Sequence, residues 1–589
     1  NVYRTRNYLQ PSNDNEYRSM IRLFFLSQQM RVNICVLLAV IVSFTACHSA
    51  NILTVFSSNS RNDFLIFEPL LKALVSHGHN VTVVRFYPQA QENYTDISYR
   101  PSDYIGSKEN KLTWEYVSKM GVFGQIRAVI DTLTSTCEIV MNDPKMYEII
   151  NSSTTFDLLI THHLSSDCFS AYAHWFNASL INVVTSVAPP WLNDRIGNPD
   201  NPSYIPNFYL PYSNRMSFMQ RVINTVVNEI TKYAITLYCD HRMDELSRQL
   251  FGEDIPSVAE LRKKTSLVLV NSHFTLSYPR PLVPAFVEVG GLHIKSGGKL
   301  PKDLQRYLDN AKQGAIYFSL GSAFKTSSMP QKTLQVFIDV FAQLPQRVLW
   351  KVENVTGLPE NVNTSSWYPQ FEILKSTIIK WFKKYCISNG MDGSEDDAFW
   401  VENEEREEYE ENSGNHPNLK LFITQGSLMG VMEAVHAGVP MVGIPLIDDQ
   451  SHNIEMCVSK DVAIRLDINS LNKATLLTAI RHIIYNPRYH KNAKELSELF
   501  RDRPHTPLET AVFWTEYVIR HKGAHHLRSA AVDLSLYQYL LLDVIAFLIL
   551  AATATIVVAY YALKISLIML YGYFSKYNLK ESKLRKKTE

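Results

Sequence analysis

The chain has almost no net charge: 58 Lys and Arg face 57 Asp and Glu, a balance of +1. That leaves no basic excess for a nucleic-acid partner. Its seven cysteines show no CxxC and no Cys/His spacing, so no metal signature is present and no metal is expected. Cys35 and Cys47 lie in or beside an apolar leader. The other five are an odd number, so a disulfide can form but its pairing cannot be read. Long apolar runs are confined to the two ends of the chain. Between them, 589 residues at 46% hydrophobic composition can bury two cores of ordinary size.

Met30-Arg31, the apolar Val32–Thr45 and the small residues through Ala50 have the parts of a signal peptide, spanning 30–50. Residues 1–29 read as an upstream leader. Near the other end, Leu540–Leu563 is long enough to cross a bilayer as a helix, with Asp543 its one charge. The tail, 564–589, carries Lys564, Lys576, Lys580, Lys583, Arg585, Lys586 and Lys587. The positive-inside rule places that tail in the cytosol. Its last residues, Lys586-Lys587-Thr588-Glu589, match the dilysine retrieval pattern of type I endoplasmic reticulum proteins. Sequons at Asn80, Asn93, Asn151, Asn177, Asn354 and Asn363 agree with a lumenal body. Together these features predict a single-pass type I protein of the endoplasmic reticulum membrane.

Two α/β domains are expected between the ends. Ile52–Phe56, Phe67–Ser76 and Val81–Phe86 read as strand, helix and strand. The loop Ser57–Phe64 then lies at a strand C-terminal end, where ligands approach such sheets. Phe156–Ile160 reads as another strand, followed by Thr161-His162-His163, and Val268–Val270 reads as the last strand of a domain spanning 51–290. Val289–Pro301, with four glycines, is predicted to hold the linker, assigned to 291–301. A second domain, 302–528, opens with the strand Ile316–Leu320, ended by Gly321-Ser322, then the helix Gln331–Leu344 and the strand Arg347–Lys351. Lys375–Asn415 has an aromatic-basic half and an acidic half and is an atypical insertion.

The most informative stretch is His416–Gln450, HPNLKLFITQGSLMGVMEAVHAGVPMVGIPLIDDQ. Leu419–Ile423 is an apolar, β-branched run of the kind that makes a buried parallel strand. Gln425-Gly426-Ser427 breaks it, a helix follows to Ala437, and Gly438 stops that helix before the strand Val439–Gly443. A strand, a small-residue turn and a helix N-terminus form an anion site, because unpaired N–H groups and the helix dipole converge there. Glu433 inside the helix and Asp449-Gln450 after the next strand supply hydrogen-bonding groups for sugar hydroxyls.

FITQGSLMGVMEAVHAGVPMVGIPLIDDQ resembles the signature of the UDP-glycosyltransferases, F-I-T-H-G-G followed by E-A, G-V-P-M and D-Q. Gln425 stands where His is usual, and Ser427 replaces the second Gly. The resemblance runs from Asn51 to the C-terminus apart from the insertion, and Asn193–Pro206 resembles invertebrate members. It implies two facing Rossmann-like domains (the GT-B arrangement), with acceptor on the first domain and UDP-sugar on the second. Trp367, in W-x-P-Q context, would stack on uracil, Gln370 would contact the nucleoside, and Glu433 the ribose hydroxyls. Ser322, Gln425, Gly426 and Ser427 would hold the diphosphate, and Asp449 and Gln450 the donor sugar. Phe500–Arg528 resembles the family's C-terminal helix. The implied reaction is inverting transfer of a hexose, glucose before glucuronic acid, to a hydroxyl of a small lipophilic acceptor. UDP-sugar is a co-substrate and no cofactor is implied. Self-association into a homo-oligomer is left open.

The catalytic pair departs from the family. Alignment of VFSSNSRNDFLIFEPL places Asp63 where the catalytic His is expected, and FDLLITHH places His162 where its Asp partner is expected, with His163 and Asp167 as neighbours. Three readings stand. His162 is the base, oriented by Asp63; or Asp63 serves acceptors that are already acidic; or catalysis is lost and a membrane-tethered nucleotide or lipophile binder remains. A bare Asp, with a reference pKa of about 3.9, is a poor base for an alcohol near neutral pH. A metal site from His162, His163 and Asp167 is not expected, since adjacent strand residues point to opposite faces.

Overall fold

The computed structural model describes residues 49–58, 60–86, 94–99, 113–163, 166–294, 298–322, 324–375 and 418–588. The upstream leader, most of the signal peptide, the sequon at Asn93 and nearly all of the insertion lie outside them. Ser49 and Ala50, at the end of the expected signal peptide, belong to the folded body: Ala50 is buried and its N–H donates to His79 Nδ1 at 3.2 Å.

The first domain is built on seven parallel strands, β1 (Asn51–Phe56), β2 (Asn80–Arg85), β3 (Thr95–Ser98), β4 (Leu158–His162), β5 (Ser179–Val184), β6 (Thr265–Val270) and β7 (Phe286–Glu288), in the order β3-β2-β1-β4-β5-β6-β7. β6 is therefore not the last strand, as the sequence predicts; three-residue β7 is too short to show a pattern of its own. The second domain has six, β8 (Ala315–Ser319), β9 (Arg347–Lys351), β10 (Val362–Ser365), β11 (Leu419–Thr424), β12 (Met441–Gly443) and β13 (Ala463–Arg465), ordered β10-β9-β8-β11-β12-β13 and again parallel. Parallel strands need cover on both faces, which explains the unbroken apolar runs. In β11, Leu421 and Ile423 enter one core, and Leu419 and Phe422 the core across the sheet.

Each sheet reverses its strand order once, between β1 and β4 in the first domain and between β8 and β11 in the second. Loops leaving adjacent strands at such a point diverge to opposite faces and open a crevice at the strand C-termini. The segments singled out by sequence leave these four strands: Ser57–Asp63 after β1, His162 ending β4, Gly321-Ser322 after β8 and Gln425–Ser427 after β11.

Among the helices of the first domain and the entry to the second are α1 (Arg61–Ser76), α2 (Val122–Met141), α3 (Ser166–Trp175), α4 (Phe218–Phe251) and α5 (Gln370–Lys375). α1 begins earlier than its apolar run, so Asp63 lies in a helical first turn rather than in a loop. An acidic residue there meets the positive end of the helix dipole. A disulfide joins Cys137 of α2 to Cys168 of α3, the pairing the sequence left open; Cys239 and Cys457 are free and buried.

The signature holds α6 (Leu428–Ala437) and ends at the start of α7 (Gln450–Val458), and α8 (Pro487–Arg501) and α9 (Pro507–Arg520) follow further on. The single C-terminal helix expected over Phe500–Arg528 is instead divided. α8 ends at Arg501 and α9 starts at Pro507, with Thr506 as its N-cap in a capping box with Glu509. Pro504 and Pro507 cannot sit inside a helix without losing backbone bonds, so the chain turns there. α8 packs on α6 of the second domain, and α9 returns to α1, β5 and β6 of the first. The last helix, α10 (Leu542–Thr588), has 47 residues. Its stretch Leu542–Lys580 is long and apolar enough to cross a membrane, with none of it buried against the protein.

Candidate active site

The bend after β11 is held by short polar contacts. Gly426 N–H donates to Thr424 Oγ1 at 3.1 Å, and Asn453 Nδ2 donates to the Gly426 carbonyl at 3.0 Å. Gly426 has φ +90°, and a Cβ there would stand 2.5 Å from Ile454 Cγ1. Only glycine meets both conditions. Gly426→Ala is therefore expected to cost about 1–3 kcal/mol through backbone strain and to displace the bend, seen as a lower melting temperature. Ser427 is the N-cap of α6 but makes no side-chain cap bond, which leaves its hydroxyl and the first N–H groups of the helix for an anion.

Gln425 is buried against Gly321, where any Cβ would collide with its amide. The loops after β8 and β11 thus interlock. Ser322, next to Gly321, accepts a hydrogen bond from Asn62 Nδ2 at 3.2 Å, so the first turn of α1 reaches across the cleft to the second domain.

Trp367 and Gln370 take opposite positions around a buried tyrosine. Ser365 Oγ donates to the Trp367 carbonyl at 2.8 Å, which turns the chain so that Tyr368 is buried and the indole is 66% exposed. Gln370 opens α5 and its Nε2 donates to Glu433 Oε2 at 2.6 Å; Tyr317 O–H donates to Gln370 Oε1 at 3.4 Å. Glu433 is only 5% exposed. Burial pushes its pKa up to about 7, opposed by the Gln370 bond and aided by Glu372. Its other oxygen lies 3.9 Å from His293 Nε2. Burial holds that imidazole down at about 4, so at neutral pH it carries no charge and the contact is not an ion pair. His293 comes from the segment predicted as linker, where nothing in the composition marks it.

After β12 the chain passes through Asp448-Asp449-Gln450. Gln450 Oε1 accepts from the N–H groups of Leu446 and Ile447 at 2.9 and 3.3 Å, so this oxygen shapes the loop. Asp449 is buried, and burial raises its pKa to about 6. Bonds from Asn453 and from the backbone of Val187 in the first domain oppose the shift, and the charge of Asp63 adds to it. Asp448, which sequence reasoning passed over beside Asp449, is the third acidic group here. It has a left-handed φ of +57°, and its N–H donates to Gln125 Oε1 of α2 at 2.8 Å. Its side chain is exposed, and desolvation by the surrounding protein, with Asp449 and Asp63 adding negative charge, raises its pKa to about 7. Asp63, Asp448 and Asp449 thus form one electrostatic group contributed by both domains.

On the first domain, Asp63 is half-buried and accepts from Ser58 Oγ at 2.6 Å. His162 is 0% exposed, with Nε2 3.1 Å from Thr185 Oγ1. Burial lowers its pKa while the charge of Asp63 raises it, so the exchanged pair is brought together. Ser58 and Thr185, the hydroxyls that hold each member, carry no signal in sequence. His163 does not point away from His162: it lies just past the strand end, and the two rings meet edge to face at 4.4 Å. Asp167 is taken by a buried ion pair with Arg195 at 2.5 Å, with Arg262 at 3.8 Å. Among the described residues no cluster of His, Cys, Asp or Glu could hold a metal ion.

The profile of the UDP-glucoronosyl and UDP-glucosyl transferase family matches residues 67–391 and 413–578. The chain belongs to this family. Its relatives include UDP-glucosyltransferase 2 of Dactylopius coccus, 36% identical over 95% of this chain and 100% of that protein. UDP-glucuronosyltransferase 2B16 of Oryctolagus cuniculus is 31% identical over 82% of this chain and 89% of its own length. Among solved structures, a UDP-glucosyltransferase from Polygonum tinctorium, 14% identical, matches with a TM-score of 0.51 over 81% of this chain and 99% of that one. That match identifies the fold as two facing parallel-sheet domains, GT-B. The protein is thus a UDP-glycosyltransferase, with UDP-sugar as donor substrate and no further cofactor. The family match passes over residues 392–412, inside the insertion read from sequence.

Proposed function

We propose that this UDP-glycosyltransferase moves glucose from UDP-glucose to the hydroxyl of a small lipophilic acceptor, with inversion at the anomeric carbon. The observation that carries the reading is the convergence of two switch-point crevices on one cleft, bridged by Asn62–Ser322 and Gln125–Asp448. Uracil lies on the exposed indole of Trp367, the ribose diol on Glu433, and the diphosphate at Gln425–Ser427 and Ser322. Charge on departing UDP is offset by the α6 N-terminus and neutral donors. Asp63, Asp448 and Asp449 surround the sugar with negative charge, which favours a neutral hexose over glucuronate.

The acceptor hydroxyl meets Asp63. Full burial of His162 supports a role behind Asp63, as the group that positions it. A carboxylate base serves acidic hydroxyls best, so phenols, with pKa near that of tyrosine at about 10, are favoured over aliphatic alcohols. α10 anchors the body in the endoplasmic reticulum membrane, with the basic end of the chain in the cytosol. The five sequons within the described residues are all exposed, in agreement with a lumenal body.

The test is competition between UDP-glucose and UDP-glucuronic acid with a phenol acceptor in membranes holding the full chain. At least a tenfold preference for UDP-glucose is expected; equal use or preference for the glucuronate donor would overturn the sugar assignment. Trp367→Ala should weaken UDP binding by about 1–3 kcal/mol, the usual loss of a base–aromatic stack. Its melting temperature should not change, because the indole is exposed. Calorimetric titration with UDP checks both.

A further inference from the structure

A cavity of about 180 Å³ lies beside the cleft, between the segments around Val187–Phe208 and Ser272–Leu282 and His452 of α7. Its walls include Val187, Phe208, Phe274 and Leu282, all apolar. Into this lining comes Arg280. The guanidinium carbon of Arg280 lies 5.1 Å from the centre of the Phe286 ring, and among the described residues its N–H groups have no hydrogen-bond or ion-pair partner. Asp200 and Glu288 also line the cavity and their charges act on Arg280, but neither is bonded to it. Glu288 accepts from Ser272 Oγ at 2.8 Å, and burial raises its pKa toward the neutral form. Asp200 pairs with Lys232 at 3.1 Å and accepts from Asn228 at 3.2 Å. Arg280 is half-buried at the cavity wall, and its five donors fit a planar two-oxygen anion.

His452 gives a second, independent sign. It is only 3% exposed, and its Nδ1 has no hydrogen-bond partner. The same holds for Ser277 Oγ on the cavity wall. An apolar cavity of about 150 Å³ holds one benzene ring, so this space suits an aromatic ring with one acidic and one hydroxyl substituent.

We propose that this cavity is a binding site for a small aromatic carboxylate that also bears a hydroxyl, its carboxylate on Arg280; the hydroxyl of a separate effector lies toward His452 and Ser277, and that of an acceptor extends past them to Asp63. The carboxylate comes from the far end of an acceptor or from a separate effector. The cavity shares Val187 with the cleft, and the Val187 backbone bonds Asp449, so either ligand sits beside the donor sugar. The acceptor case rests on the transferase reading above; the effector case does not.

Two measurements on the full-length protein in membranes test it, with wild type, Arg280→Met, and Leu282→Trp, which fills the space while leaving Arg280 in place. The first is binding of radiolabelled salicylate at millimolar concentration. The second is kcat/KM for 4-hydroxycinnamic acid against its methyl ester. A saturable salicylate signal lost in both variants supports the site. If the acid-to-ester ratio also falls at least tenfold in both, the ligand is the acceptor's acidic end; an unchanged ratio with lost binding makes it an effector. Unchanged binding and ratio in both variants would overturn the proposal, as would absence of saturable binding to wild type. Binding is read without turnover, so absence of transfer to any phenol counts against the transferase reading alone.

Discussion

Asp63→Asn is expected to lower kcat for a phenol by about 10²–10⁴-fold, the range contributed by a positioned acid or base, and to leave KM for UDP-glucose within about twofold. The amide is nearly the same shape and can still accept from Ser58 Oγ, but it cannot take a proton. The deficit should shrink as the acceptor becomes more acidic, so nitrophenols should be spared relative to unsubstituted phenol. The pH profile carries a second signature. The charge of Asp63 is one reason that Asp448 and Asp449 have pKa values of about 7 and about 6. Its removal should move their ionisation to lower pH.

His162→Gln is expected to cost less, about tenfold in kcat, because His162 is buried behind Asp63 and does not meet the acceptor. A shifted pH profile would separate a positioning role from mere packing. Turnover that persists undiminished in both Asp63→Ala and His162→Ala would sink the exchanged-pair mechanism while leaving the transferase assignment intact.

Glu433→Gln should separate stability from function. Burial raises the carboxyl to about 7, from its ordinary value of 4.5. A carboxyl whose pKa is raised by folding is happiest protonated. It costs nothing below pH 4.5, its penalty grows as pH rises to 7, and the penalty is then constant. A displacement of that size corresponds to about 3 kcal/mol. The Gln variant should therefore match wild type in melting temperature near pH 4 and exceed it at pH 8. UDP binding should move the other way. The ribose diol donates to a carboxylate, and a hydrogen bond to a charged group contributes about 1.5–3 kcal/mol, so at least a tenfold loss of affinity is expected at pH 8. Because ribose hydroxyls favour the ionised form, wild-type UDP binding should weaken as pH falls from 8 to 6, and the Gln variant should lose that dependence. Thermal unfolding and UDP titration at three pH values check both.

The donor half was legible because its constraints are local. A run of apolar residues, a glycine bend and a helix stopped by Gly438 fix β11, the turn and α6 within twenty residues. Gly438 indeed has the left-handed φ of +67° that such a stop requires. W-x-P-Q context singled out Trp367, but its exposure goes with the burial of Tyr368, which no short pattern reports. The acceptor half depends on packing between distant segments. Nothing near His162 shows that it ends a wholly buried strand beside Thr185, 23 residues on. His293 enters the site from a stretch whose four glycines read only as a linker. Asp448 stood in plain view, yet its place depends on a left-handed backbone anchored to Gln125, 323 residues earlier. The early start of α1 was hidden because its first turn, Arg61-Asn62-Asp63, is polar and has no apolar period. The break between α8 and α9 was readable in principle from Pro504 and Pro507.

The most direct test is transfer itself. Membranes holding the full chain are given UDP-[¹⁴C]glucose and a panel of phenols, and both the labelled glycoside and UDP are quantified. The expected result is a β-glycoside formed in one-to-one ratio with UDP, and lost in Asp63→Asn. Tight UDP binding with no labelled product on any acceptor would contradict the account.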